Sequence, residues 1–594
     1  DGRLLEHFEH GLLAPRKIEA SGVPGAAGDG LPGHGEDVAP ATVRRLGNID
    51  DGYDSLPRFW DQVGVLFRNG DVKELTADPY LALGAVPPLT AGFRDLNPLQ
   101  HRLPVFDPTR CTGCGSCWSN CPDGAIGASI LPPRRILQHV IREIGATAVQ
   151  PLVGKLTAGI AASAGDPENH GFPAGNLVGE IFASLAEKLP FSEERRITVT
   201  TDMEGLIERL GSLPLAVTAP FFVEPESEQP GSGELLVLSI DPLACKGCGI
   251  CSQTCPAAAM EAAQRTPQSV AAARRLRSTW ELLPASAPAT IQRAKEHPEV
   301  VAMAAPLLTR AGVPVLASGD GGEPGSGARL ALRMTLATME ARQTGVFAEF
   351  LAQVQTVQQQ ITALIRESLA DALPADDLDA LARGLESIDS RQADLSVFIG
   401  EAENAIGSSV DAAKLHRLVE LARGLADLAW RLEEGRQGFG RSRVGLVLSA
   451  GSAAEWAGGF AHNPFTGPVV VDSTGDGAQL AAGLLEGQLR QTTDDAVLLR
   501  KARLDIEHPA EATRSCAQLE ALRWQELSLE EKARCPGMLL AGDSKTLGER
   551  GLSQRAKVLD GELPLKALVF ADLDLGLAVP PEIEVPVASA PDTT

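Results

Sequence analysis

Eight of the ten cysteines in this 594-residue chain fall in two short runs that have the same spacing. In each run, two residues separate the first three cysteines, three residues precede the fourth, and a proline follows it. Cysteine thiolates bind iron and zinc, so this repeated pattern predicts metal binding. The other two cysteines, Cys516 and Cys535, have no such neighbours, and we expect ordinary buried or half-exposed thiols there. The runs are Cys111, Cys114, Cys117 and Cys121 before Pro122, and Cys245, Cys248, Cys251 and Cys255 before Pro256.

The spacing within each run favours a [4Fe-4S] cluster over the alternatives, which are structural zinc, unmetallated thiols and a disulfide framework. Disulfides need an oxidising compartment, and the first twenty residues lack the basic start and apolar core of a secretory signal. Zinc sites generally use paired CxxC units, whereas a third cysteine adds a third thiolate to one face of an iron–sulfur cube. The small residues that allow a loop to wrap such a cube are Gly113, Gly115, Gly247 and Gly249.

The run C-x2-C-x2-C-x3-C-P resembles the pattern of bacterial two-cluster ferredoxins. In that fold, the fourth cysteine of each run binds the cluster that is held by the first three cysteines of the other run. The resemblance therefore implies one cluster on Cys111, Cys114, Cys117 and Cys255, and a second on Cys245, Cys248, Cys251 and Cys121.

Composition excludes several classes of protein. The formal net charge of -24 argues against nucleic acid as a partner, because phosphate binding needs clustered Lys and Arg. The longest apolar stretches, such as residues 213–223, are too short and too interrupted by proline to span a membrane. Together with the absence of signal features, this predicts a cytoplasmic protein without a membrane span.

The elements that must position the cysteines are apolar, extended segments ending in Asp-Pro, one directly before each run. These segments, RLPVFDP and ELLVLSIDP, predict the strands of two half-repeats. Residues 122–244 separate the runs, and apolar spacing there predicts helices, with a strand at RITVTT (196–201). Further along, apolar residues from Phe347 to Leu364 recur every three or four positions, and this helix is expected to pair antiparallel with a second over residues 414–435.

Strand patterns that alternate with helices, from about residue 441, predict an α/β domain with a largely parallel sheet. The predicted fold is α+β and α/β multidomain: a bacterial-type dicluster ferredoxin domain with a long insertion, a helical hairpin region and a C-terminal α/β domain. The predicted boundaries are 1–100 for an N-terminal linking segment, 101–262 for the ferredoxin domain with its insertion at about 129–234, 263–440 for the helical region, 441–579 for the α/β domain and 580–594 for a flexible tail.

The segments LPVFDPTRCTGCGSCWSNCP and LSIDPLACKGCGICSQTCP resemble the ferredoxin-type domain of pyruvate:ferredoxin oxidoreductases, which are multidomain 2-oxoacid oxidoreductases that use thiamine diphosphate. Residues 318–332 and 542–574 resemble two parts of the thiamine-binding domain of that family. The resemblance implies that Gly319, Gly321, Gly542 and Asp543 bind thiamine diphosphate, with Asp543 holding Mg2+.

The chain departs from that family at the thiamine site. Residues 318–332 contain none of the cysteines that hold a third cluster in the family, and the expected GDG reads Gly542-Asp543-Ser544. No Asn follows Asp572, and we find no equivalent of the carboxylate that activates the thiamine ring. A strand-ending turn at Asp543 and a glycine-rich turn at 319–325 are the alternative interpretations.

Three functions are compatible with these features. The favoured one is an electron-transfer chain or subunit of a 2-oxoacid:ferredoxin oxidoreductase-like complex, inactive alone, which relays single electrons through two [4Fe-4S] clusters. Its partners would be a ferredoxin or flavodoxin and a catalytic chain or domain. The alternatives are a self-contained thiamine-dependent 2-oxoacid oxidoreductase and a scaffold protein with structural clusters.

Overall fold

A computed structural model describes most of the chain between residues 43 and 570. All of the described residues belong to the unit Ala39–Thr594. None of the helices in the described part of the chain is long and apolar enough to cross a membrane. The described residues are 43, 55–69, 71–88, 90, 101–186, 192–308, 326–370, 412–435, 440–449, 463, 465, 467–472, 476–543 and 563–570.

Strands in the described residues form three sheets. Their order is β1-β9-β8-β10-β11 in the first sheet, β2-β7 in the second and β3-β6-β5-β4 in the third. The strands are β1 (Ala85–Val86), β2 (Arg102–Phe106), β3 (Ile126–Leu131), β4 (Gly171–Pro173), β5 (Pro214–Ala216), β6 (Leu235–Ile240), β7 (Met260–Gln264), β8 (Val444–Leu448), β9 (Val469–Val471), β10 (Gly537–Asp543) and β11 (Leu565–Phe570).

Helices occupy most of the remaining described residues. Up to the second cysteine run they are α1 (Leu56–Phe59), α2 (Val65–Asn69), α3 (Pro79–Leu83), α4 (Ser116–Ser119), α5 (Pro133–Ile144), α6 (Val153–Ala164), α7 (Ala174–Ala186), α8 (Glu193–Leu210), α9 (Glu224–Glu228) and α10 (Ile250–Gln253). After it come α11 (Pro267–Trp280), α12 (Pro288–Glu296), α13 (Gly327–Ala370), α14 (Ala412–Glu433), α15 (Gly477–Glu507), α16 (Pro509–Glu520) and α17 (Leu529–Ala533).

The two cysteine runs are joined by strands that cross between the halves. The strand that leads into the first run, β2, pairs antiparallel with β7, which follows the second run. The strand that leads into the second run, β6, pairs antiparallel with β3, which follows the first. Each half-repeat therefore supplies one strand to each ladder, and the predicted strands before both runs are present.

Strands β3 and β6 are buried along their whole length because both faces of their sheet are covered. Alternate residues of β6 point to opposite faces. Leu236 and Leu238 belong to the hydrophobic core that contains the cysteines, while Leu235 and Val237 belong to a second core built by the inserted residues. The insertion also extends this sheet, since β5 pairs antiparallel with β6. This sheet therefore fixes the cysteine loops against a large packed layer.

The strand predicted at residues 196–201 is wrong, because this segment lies within helix α8. The β-branched residues of RITVTT favoured a strand locally. Buried residues, however, recur along one helical face over a longer span, and Ser192 caps the helix by accepting a hydrogen bond from the backbone N–H of Arg195. The buried face consists of Val199, Met203, Leu206 and Leu210.

Helix α13 extends from the cysteine core to the predicted helical pair. Near its start, Leu332 and Leu336 are buried in the core that contains the cysteines. Further along, its buried residues pack with α14, as predicted for these two segments. On the α13 side of that contact the buried residues are Phe347, Phe350, Val354, Val357, Ile361 and Ile365.

The C-terminal sheet is parallel between β8, β9, β10 and β11, as the strand and helix alternation predicted. One face packs on α15, through Val447 and Leu540 among others. The opposite face, with Leu446 and Leu539, belongs to the core that contains the cysteines. The short strand β1 pairs antiparallel with β9, so the N-terminal region contributes a strand to this sheet.

Candidate metal centre

Each cysteine loop begins with the same turn. Asp107 Oδ1 accepts a hydrogen bond from Thr109 N at 3.0 Å, and Asp241 Oδ1 accepts one from Leu243 N at 2.8 Å. The backbone N–H of Asp107 donates to Ala259 O, and that of Asp241 donates to Ala125 O. An Asp side chain that bonds its own backbone two residues on stabilises a turn. The start of each loop is thereby anchored to the end of the other.

Glycines within the loops have the conformation that wrapping requires. All four of the predicted glycines have a positive φ, between 66° and 81°. Gly115 and Gly249 immediately precede the short helices α4 and α10, with φ of 81° and 80°. Residues with side chains rarely adopt this left-handed conformation, so glycine is favoured at both positions. The two loops thus have matching backbone paths.

One group of thiols combines three cysteines of the first run with the last cysteine of the second. Cys111 lies within electrostatic range of Cys114 and Cys255, and Cys117 lies within range of all three. We call these four residues the first thiol set: Cys111, Cys114, Cys117 and Cys255. A 3-10 segment, Ala302–Leu308, begins beside this set. The residue that precedes it, Val301, donates from its backbone N–H to Cys114 O at 2.9 Å.

The other four thiols make up the second thiol set: Cys121, Cys245, Cys248 and Cys251. Cys245 lies within electrostatic range of the other three, and Cys121 lies within range of Cys248. All four line one cavity of about 450 Å³ of empty space, part of it open to solvent. Cys117 of the first thiol set also lies within range of Cys251, so the two sets are neighbours.

Backbone amides point at the sulfurs of both sets. Ala125 N donates to Cys121 Sγ at 3.3 Å, and Ala259 N donates to Cys255 Sγ at 3.2 Å, so the two halves use equivalent bonds. Gly247 N donates to Cys245 Sγ at 3.4 Å. Hydrogen bonds of this kind stabilise the negative charge of a thiolate and tune the potential of a bound cluster.

Burial raises the pKa of several of these thiols. It raises the pKa of Cys111 to about 12 and that of Cys251 to about 11, with neighbouring cysteines adding to the shift. Burial also raises the pKa of Cys117 well above its ordinary value. Thiolates at these positions therefore need a positive counter-charge. A bound metal supplies that charge, and a thiol that coordinates the metal loses its proton.

The donor set fits two [4Fe-4S] clusters by its chemistry. All eight cysteines are free thiols. They fall into two sets of four, with amide donors at sulfurs in both. A [4Fe-4S] cluster takes four thiolates at four separate irons. Within the described residues, no group of three or more His, Cys, Asp or Glu is arranged around a single metal ion, whereas a cluster binds each of its four thiolates at a different iron.

The candidate thiamine residues are only partly visible. Gly542 and Asp543 form the end of β10 and pair with Val569 and Phe570 of β11. Gly319 and Gly321 lie outside the described residues. Because two of the four lie outside the described residues, the structure does not test whether they form one site, and their role remains a prediction. Of the two isolated cysteines, Cys535 is buried and Cys516 is half-buried.

Sequence reasoning missed two arginines of α13 that lie near the second thiol set. Arg333 donates to Cys121 O and, at 2.7 Å, to Trp118 O, both from a buried position. Arg329 forms an ion pair with Asp123 at 3.2 Å. The available signal was their spacing, because the two arginines lie four residues apart in the otherwise apolar stretch ARLALRMTL.

A comparison with protein families finds the 4Fe-4S binding domain twice, at residues 104–127 and 238–261. Each match contains one complete cysteine run and reaches into the strands on either side of it. The two matches support an iron–sulfur electron-transfer role and are consistent with a dicluster ferredoxin domain. A comparison with curated proteins finds no match for this chain.

Proposed function

We propose that this chain is an electron-transfer component of a 2-oxoacid:ferredoxin oxidoreductase-like complex, with one [4Fe-4S] cluster on each thiol set. When bound, such clusters accept and donate one electron at a time, within a range of roughly -700 to +450 mV. The observation that carries the proposal is the division of eight free thiols into two neighbouring sets, each with cysteines from both runs.

The protein's own residues would hold the clusters and control their surroundings. The buried strands β3 and β6 exclude water from one side of the thiol sets. Trp118 is buried in the same core as the cysteines, and its Nε1 donates to Ala304 O at 3.2 Å. Cys117 of the first thiol set lies within electrostatic range of Cys251 of the second, and this closeness supports electron exchange between the two sets. Low solvent access and amide hydrogen bonds are the main means by which a protein adjusts cluster potential.

An electron relay needs a donor and an acceptor. We propose a catalytic chain or domain as the donor and a soluble carrier of the ferredoxin or flavodoxin class as the acceptor. The resemblance of the cysteine segments to pyruvate:ferredoxin oxidoreductases supports this choice. The departures at Ser544 and in residues 318–332 argue against a thiamine site complete within this chain, so thiamine diphosphate and Mg2+ are not assigned to it.

Anaerobic purification followed by iron and sulfide analysis tests the proposed function. We expect about eight irons and about eight sulfides per chain, because two four-iron clusters each contain equal numbers of both. Reduction with dithionite should produce paramagnetic signals from both clusters. Stoichiometric zinc without iron in such a sample would overturn the proposal, and clusters that cannot be reduced would favour a structural role.

The isolated chain is expected not to oxidise pyruvate or 2-oxoglutarate. The third-cluster cysteines and the thiamine-activating carboxylate of the resembling family are missing from the sequence. The measurement is reduction of a redox dye by the cluster-loaded chain with substrate, thiamine diphosphate and Mg2+. The same sample, first reduced with dithionite and then freed of it, should pass electrons to the dye. Substrate-dependent dye reduction by this chain alone would contradict the prediction.

A further inference from the structure

Four buried charged side chains surround one side of the second thiol set. Arg333 and Asp123 are each 2% exposed, Arg329 is 6% exposed, and the side chain of Lys246 is 8% exposed. They come from three segments: Asp123 follows the first run, Lys246 lies within the second, and both arginines belong to α13. Burying four charges in one place costs free energy of desolvation unless the charges interact with one another or with a bound group.

The contacts of these residues fix them beside the thiols. Arg333 donates two hydrogen bonds to the backbone of the first run, at Trp118 O and Cys121 O. Both bonds hold the buried guanidinium beside Cys121, a member of the second thiol set. Asp123 Oδ1 lies 3.2 Å from Arg329 Nη1 and 3.8 Å from Lys246 Nζ. Asp123 and Lys246 also line the cavity that the second thiol set borders.

Arg333 brings a positive charge to this place. Asp123 pairs with Arg329 and Lys246, whereas Arg333 donates its hydrogen bonds to backbone carbonyls at Trp118 and Cys121. A cluster with four thiolates is anionic, since the thiolates outweigh the charge of the oxidised iron–sulfur core, and each added electron makes it more so. Buried cations therefore stabilise the reduced form more than the oxidised form, and this raises the reduction potential.

No comparable group acts on the first thiol set in the described part of the chain. The charges that act on the Cys111 and Cys117 thiols there come from other cysteines. Arg110, next to Cys111, is 44% exposed along its side chain and pairs with the exposed Glu261. Solvent screens such surface charges. The two thiol sets therefore differ in their electrostatic surroundings although their loops are alike.

We propose that the buried positive charge of Arg333 makes the second thiol set the site of higher reduction potential. The inference rests on the proposed function, because it requires a cluster at each set. Arg333 is a positioning residue, because it acts through its charge and through its hydrogen bonds to the backbone of the first run. The order of potentials then directs electrons from the first thiol set toward the second.

The test is a redox titration of the full chain, loaded with both clusters and followed by paramagnetic resonance. In Arg333→Gln we expect the higher of the two potentials to fall. At a fixed solution potential, the ratio of reduced to oxidised cluster at that site should drop at least about tenfold, because one charge within roughly 12 Å has that effect or more at an effective dielectric constant of about 20. For one electron, tenfold corresponds to about 59 mV. The lower potential should move less.

Three further variants separate charge from structure. Arg333→Lys keeps the positive charge and should retain most of the higher potential. Arg329→Gln removes a charge that lies on the far side of Asp123 and should lower the same potential by a smaller factor. Arg110→Gln, the matched control beside the first thiol set, should leave both potentials nearly unchanged, because solvent screens that charge.

The results also separate failure of this inference from failure of the proposed function. A wild-type chain that binds no iron overturns both. Full iron content with potentials that do not move in Arg333→Gln, or a shift confined to the lower potential, overturns only the inference. If Arg333→Gln loses iron, Arg329→Gln decides: a lowered higher potential supports the inference, and unchanged potentials overturn it.

Discussion

Cys121→Ser is expected to perturb the same paramagnetic signal as Cys248→Ser, and Cys255→Ser is expected to resemble Cys114→Ser. The reason is that Cys121 lies within electrostatic range of Cys245, Cys248 and Cys251 rather than with the rest of its own run. Removing one thiolate of four should abolish or alter one cluster, about half of the total signal, and leave the other in place.

Spectra of the four variants after dithionite reduction, with iron analysis of each, make the comparison. Cys516→Ser is the matched control, because Cys516 is a half-buried free thiol outside both runs, and it should behave as wild type. The expected outcome is two pairs of matching spectra. If Cys121→Ser instead matched Cys114→Ser, each run would hold its own cluster, and the division into first and second thiol sets would be refuted.

The cysteine runs could be predicted from sequence because their ligand spacing is local. A loop with x2 spacing and glycine at 113 and 115 can wrap around a cluster, and this property does not depend on the rest of the fold. The leading strands were also readable, since RLPVF and LLVLSI are apolar segments bounded by turns. These local signals were enough to predict metal binding and both half-repeats.

Features that depend on distant packing were not readable. The β-branched residues of 196–201 suggested a strand, but burial of Val199 and Met203 against the insertion core holds this segment in α8. Strand β1 has two residues, too few to show any period, and it forms only because β9 offers a free edge. Arg333 reads as a surface residue of a helix until α13 is placed against the first run.

Removal of iron is expected to release the β2–β7 ladder while the insertion remains folded. This ladder is a two-stranded sheet, and such a sheet is marginal in water on its own. Of its ten side chains, only those of Leu103, Pro104 and Met260 are buried. Clusters that tie both runs together would supply the missing stability, since metal sites in small domains contribute on the order of 10 kcal/mol to folding.

The insertion differs because it has its own core. Residues of α5, α6 and α8 form a continuous buried apolar cluster that includes Leu137, Leu156 and Leu206. None of the cysteines belongs to this cluster. Burial of apolar surface stabilises such a cluster without metal, at about 25 cal/mol per Å². We therefore expect the two regions of one chain to respond differently to the same treatment.

Hydrogen exchange, read by mass spectrometry before and after anaerobic chelation of iron, measures both regions in one sample. Peptides that cover β2 and β7 should approach the exchange rates of unprotected amides after chelation, while peptides from α6 and α8 should keep their protection and serve as the internal control. Returning iron and sulfide should restore protection in the ladder. Equal loss of protection in both regions would show that the clusters support the whole assembly, and an unchanged ladder would show that β2 and β7 are held by packing alone. Either result would contradict the prediction, because both require that the thiol sets contribute no stability specific to the strands that flank them.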